Sequence, residues 1–164
     1  RQWIYPQHVE VFQVLAKAAS LQSAFPQLNI VPILICRRAN RRLFAMSRHL
    51  GFYTIEMAKQ PVGNLNEEDH QRLLQVRRGL GFHDLTDTTE PLKSIQNRIS
   101  GLHPYWPAAS QRWKSTCGSR EAVDLIYLLA DKRTTGYDRV NGRRALGTVL
   151  DQLNPDSDMM WWQT

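Results

Sequence analysis

Acidic residues are missing from the stretch between Glu10 and Glu56. The same stretch holds Lys17, Arg37, Arg38, Arg41, Arg42 and Arg48. A solvated surface normally mixes both signs, so a one-sided run of this length points to an acidic partner, nucleic acid first. Cysteine is scarce, with only Cys36 and Cys117 present and far apart. That excludes a disulfide framework and a cysteine-based zinc site. Two isolated thiols fit a reducing compartment, so a cytoplasmic protein is expected. Cys36 closes an apolar run and reads as a small hydrophobe.

Long apolar runs are also missing. None approaches the ~20 residues that a membrane-spanning helix requires, so no membrane partner is expected. There is no Gly-x-Ser-x-Gly, no P-loop and no dinucleotide fingerprint. Gly79-Leu80-Gly81 reads as a helix stop. His8, His49, His70, His83 and His103 show no metal-ligand spacing and read as exposed or capping residues. Internal repeats and low-complexity tracts are absent.

What remains is a chain of 164 residues with 42% hydrophobic content and a net charge of +6. That suits one domain, or one and a half, with a packed core. Residues 1–6 place Trp3, Ile4 and Tyr5 before a proline, as an extended segment pinned to a core. Residues 7–25 are helical: Phe12, Leu15, Ala16 and Ala19 form a stripe that Val11, Val14 and Ala18 widen, so most of the helix is buried. Residues 30–36 read IVPILIC, a strand with Pro32 at a position suited to a strand start or edge. Asn40 caps a helix with Leu43, Phe44, Met46 and Leu50 at helical spacing, and Gly51 ends it. Residues 52–57 form a second strand. Strand, short helix and strand in so little chain imply a parallel pair.

At residue 60 the composition shifts to a linker-like QPVGNLN. Asn66 then caps a helix with Glu67, Glu68 and Asp69 in its first turn and Arg77 and Arg78 in its last, matching the helix dipole. Thr89 caps a helix with Leu92, Ile95, Ile99 and Leu102 on one face. A short helix is expected over residues 108–114. Ser119 caps another, with Val123, Ile126, Tyr127 and Ala130 inward. Residues 137–153 form a last helix, weakened by Gly142 and Gly147. The fold class is therefore an α/β N-terminal unit (helix, strand, helix, strand, with a parallel pair) over residues 1–60. An α-helical region follows over 61–153, and a tail over 154–164 ends in Met159, Met160, Trp161 and Trp162.

The arginines fall where chemistry would use them. Arg37 and Arg38 sit at the carboxyl end of a strand, and Arg41 and Arg42 in the first turn of the next helix. Ligands of open α/β sheets bind outside the carboxyl ends of strands, and helix starts offer N–H groups to anions. Guanidinium groups there can clamp phosphate bidentately. Arginines in a first turn oppose the helix dipole, so helix stability does not explain them. Other clusters carry less. Glu56 and Lys59 have the spacing Glu-x-x-Lys, which puts them on opposite faces of a strand rather than on one metal-bound water. Tyr105, Trp106 and Trp113, beside Arg112 and Lys114, suit either base stacking or interhelix packing.

The segments WIYPQHVEVFQVLAKAASLQ and IVPILICRRANRRLFAMSRHLGFYTIEMAKQ resemble the later part of the PD-(D/E)xK restriction-endonuclease-like core. Residues 7–25 resemble its second core helix, and residues 30–36 the strand after it. The resemblance covers roughly the first 60 residues. It implies a catalytic Asp and a Glu-x-Lys on strands that would precede Trp3, and no residue here matches them. The chain alone is thus expected to lack a catalytic site and a cofactor. Mg2+ and metal-dependent endonuclease activity would belong to a longer protein whose upstream strands complete the site. The resemblance further implies DNA as partner, in DNA processing or bacterial defence, with His8, Lys17, Arg37, Arg38, Arg41 and Arg42 as the nucleic-acid-binding residues. The alternative is a protein-interaction module, in which the helical half and the Trp161-Trp162 tail dock on a protein partner or a second copy.

Overall fold

The computed structural model describes residues 3–57, 59–63, 65–81, 84–86, 90–155 and 161–162. Its N-terminal unit runs helix, strand, helix, strand: α1 (Val9–Ala24), β1 (Ile33–Cys36), α2 (Arg41–Leu50) and β2 (Tyr53–Glu56). β1 and β2 pair in parallel, with Ile33 opposite Tyr53 and Cys36 opposite Glu56. A mostly helical region follows, as the sequence implied. It comprises β3 (Gln60–Pro61), α3 (Glu67–Leu80), β4 (Leu85–Thr86), α4 (Glu90–Gly101), a 3-10 turn (His103–Tyr105), α5 (Trp106–Gly118), α6 (Arg120–Ala130) and α7 (Gly136–Leu153).

Local chemistry sets several boundaries. Pro32 precedes β1, where its missing N–H costs nothing, and its carbonyl accepts from the Tyr53 amide at 2.9 Å. The Asn40 side chain accepts from the Arg42 amide at 3.0 Å, and that of Asn66 from the Asp69 amide at 2.8 Å. Ser119 and Thr135 cap α6 and α7 in the same way. Each satisfies a backbone donor that a helix start leaves open. At the other end of α2, Thr116 and Arg112 of α5 donate to the carbonyls of Leu50 and Arg48. Gly51 follows at φ +85°, in the left-handed region that favours glycine.

The core joins elements from both halves. Val11, Phe12, Leu15, Ala18 and Ala19 of α1 belong to one buried cluster with Ile126 and Leu129 of α6, on which α1 packs, and with Leu146 and Leu150 of α7, which packs on α6. Leu43, Met46 and Leu50 of α2 complete it with Trp113 of α5. α3 contributes only Leu73 to the buried set among its described side chains, and α3 and α4 lie mostly in solvent.

Several expectations are corrected. The 60–66 stretch is not only a linker: Gln60 and Pro61 pair in parallel with Leu85 and Thr86. A two-residue ladder is too short to leave a periodic pattern. The helix expected over 108–114 runs the length of α5, and Trp113 at its centre is fully enclosed. Trp113 is therefore core, in line with the packing reading of that aromatic cluster, while Tyr105 is exposed. Tyr127 faces out rather than in, and its hydroxyl shares a 2.7 Å hydrogen bond with Ser20. Leu92 is exposed, so the apolar face of α4 is incompletely covered. The caps read at Thr89, and His83, Met159 and Met160, lie outside the described residues.

The largest correction concerns the tail. Trp161 and Trp162 are not an exposed end of the chain: both are buried in the core at 2% and 8% exposure. Their bed explains Gly147. A Cβ on Gly147 would fall 2.2 Å from the Trp162 ring, so the glycine is the notch that admits the indole. On an exposed helix, Gly→Ala stabilises by about 1 kcal/mol. Gly147→Ala is instead expected to destabilise by about 1–3 kcal/mol through overpacking. Urea unfolding checks the sign, and a stabilised variant would remove the contact from the account.

Candidate anion-binding surface

Parallel pairing brings the carboxyl ends of β1 and β2 to the same edge. Residues 37–42 leave that edge and enter α2. Beside them, Ile4 bridges Ala39 in parallel. The Ile4 amide donates to the Arg38 carbonyl at 2.8 Å, and the Asn40 amide to the Ile4 carbonyl at 2.9 Å. This pins the N-terminal segment against the loop and lays Trp3 under the Arg38 guanidinium, 5.5 Å from ring centroid to charge.

Glu56 holds the same loop from the other side. Its Oε1 accepts from the Ala39 amide at 2.6 Å. The carboxylate is thus a backbone anchor, a role unrelated to Lys59. Arg98, from the last turn of α4, donates to the Glu56 carbonyl at 2.9 Å. Its guanidinium joins the strand ends from 42 residues away, which no local pattern announced.

The four arginines of the expected clamp are not equivalent. Arg37 makes a two-pronged pair with Asp84, Nε to one carboxylate oxygen and Nη2 to the other. Burial pushes the Asp84 carboxyl up, but the Arg37 hydrogen bonds and the charges of Arg37 and Arg38 outweigh it and hold the group below its usual range. Asp84 is tied at its backbone too, its carbonyl accepting from the Gln60 amide at 2.7 Å. So Arg37 already has an anion, supplied by the chain. The clamp reduces to Arg38, Arg41 and Arg42. All three are exposed and form no salt bridge among the described residues. The helix start adds less than expected, because Asn40 already takes the amides of Arg42 and Leu43. Contact with an anion therefore falls on the guanidinium groups.

His8 sits close by in sequence to the Ile4 bridge, as the residue before α1. Its Nδ1 accepts from the Tyr5 amide at 3.4 Å and its ring meets Tyr5 edge-on. It braces the turn into α1. Lys17 is exposed on α1, about 13 Å along the helix from His8 at 1.5 Å per residue.

Burial, with the Glu56 charge second, pushes the Cys36 thiol up to about 11, and burial pushes Cys117 up to about 12. Neither forms a thiolate nucleophile near neutral pH. Among the described residues, no group of three or more His, Cys, Asp or Glu side chains converges as a metal site. No described helix is long and apolar enough to cross a membrane. No family model matches the chain, and neither a curated protein nor a solved structure matches it.

Proposed function

We propose that this chain is the nucleic-acid-binding part of a nuclease-like, DNA-processing or defence protein, without a complete catalytic site of its own. The observation that carries the reading is the trio Arg38, Arg41 and Arg42. They are exposed at the carboxyl edge of a parallel pair and outside any salt bridge among the described residues, with Arg41 and Arg42 set against the helix dipole. Guanidinium groups so placed contact backbone phosphates and position the protein without reading sequence.

The test is salt dependence. Three phosphate contacts on a duplex give a slope of about −2.7 in log affinity against log salt. Between ~50 and ~200 mM salt, affinity for a labelled duplex should fall about fortyfold. Fluorescence anisotropy reads it directly. Absence of duplex binding at the lower salt, or binding indifferent to salt, would overturn the proposal.

A further inference from the structure

We propose that His49 and Trp161 form an acid-released latch, which holds the Trp161–Trp162 segment against the helices when His49 is neutral and frees it when Nδ1 takes a proton. The His49 side chain, at the end of α2, is wholly enclosed. Its Nδ1 accepts a hydrogen bond from the Trp161 indole N–H at 3.2 Å. An indole nitrogen only donates, so Nδ1 must be bare and the imidazole proton must sit on Nε2. Trp162 rests against the same histidine, with ring centroids 5.6 Å apart, and over the Gly147 notch. Both indoles are thus keyed to one imidazole.

Protonation would turn the acceptor into a second donor facing the indole N–H and would place a cation in the core. Both changes are costly in a buried site. Both tryptophans lie beyond the end of α7 at Leu153.

The surroundings work in both directions. From α7, Asp151 lies 3.6 Å from Nε2 and favours the charged ring, as does the Leu150 carbonyl. Nε2 nevertheless has no partner at hydrogen-bond geometry among the described residues. From α5, Arg112 opposes the charge, and Arg48 is the next cation along α2 itself. Burial is the largest influence, and it sets the balance below the ordinary histidine value.

The sign follows. Unlatched, His49 titrates near the ordinary ~6.5, and latched, below it. The latch is at full strength above ~6.5 and weakens as pH falls. Its opening constant rises about tenfold per pH unit until the latched value is passed.

Hydrogen exchange at the Trp161 and Trp162 amides between pH ~7.5 and ~5, corrected for intrinsic rates, tests this. Protection of the segment should fall about tenfold per unit below ~6.5, while α6 holds its protection. His49→Gln keeps a neutral acceptor and should hold the segment at both pH values. Trp161→Phe keeps a ring but removes the donor. It should lower protection at neutral pH and move the His49 titration, followed by NMR, up toward ~6.5. Segment protection that does not change with pH in the natural protein, a His49→Gln variant with the same pH profile, or an unmoved titration in Trp161→Phe would each overturn the latch.

Discussion

Gly51→Ala is expected to destabilise the protein by about 2–4 kcal/mol, from two separate costs. The first is conformational: Gly51 lies at φ +85°, where a Cβ costs about 1 kcal/mol. The second is steric. A Cβ there would lie 2.4 Å from the Trp113 nitrogen and 2.5 Å from the Ala109 carbonyl oxygen. These are backbone atoms of α5, which cannot rotate away as a side chain would. Relief requires α2 and α5 to separate, and overpacking of this kind costs about 1–3 kcal/mol. Separation would also strain the bonds from Thr116 to Leu50 and from Arg112 to Arg48. Urea denaturation, read by circular dichroism, measures the effect as a lower midpoint. A change within ~0.5 kcal/mol would show that α2 and α5 do not approach as described.

The second large effect is functional. Changing Arg38, Arg41 and Arg42 together to Ala should weaken duplex binding by roughly two orders of magnitude at ~50 mM salt, at roughly 1 kcal/mol per exposed charge-assisted contact. The salt slope should flatten by about 2.7 at the same time. Arg37 is left in place because its guanidinium engages Asp84, and removing it would strand a carboxylate beside the phosphates. None of the three side chains anchors the core, so thermal stability should stay close to that of the natural sequence. Equal duplex affinity in the triple variant, with the fold intact, would move the binding surface elsewhere.

Much of the fold was legible before any contact was known, because the signals were local. Asn40, Asn66 and Ser119, read as caps, each bond an amide within three residues. Gly51 and Gly81 end their helices in the left-handed region. The apolar runs around β1 and β2, with α2 between them, are near enough in chain for parallel pairing to follow. The arginine group was visible for the same reason, since residues 37–42 are contiguous.

What failed was long-range. Asp84 lies 47 residues from Arg37, and Arg98 lies 42 from Glu56. Nothing in either neighbourhood marks them as partners. Gly142 and Gly147 read as weak points because propensity counts only the helix, whereas Trp162 meets Gly147 through tertiary packing.

The residue order by itself determined the strand–helix–strand unit, most of the helix caps and a basic stretch of chain free of acids. Backbone hydrogen bonding and charge within a few residues were sufficient for that. Only the tertiary structure decided which arginines remain open to an anion, and that His49 and the two terminal tryptophans close on each other. Those outcomes depend on which desolvated groups meet across 47 to 112 residues of chain. That pairing is set by packing of the whole core, and local sequence carries no record of it.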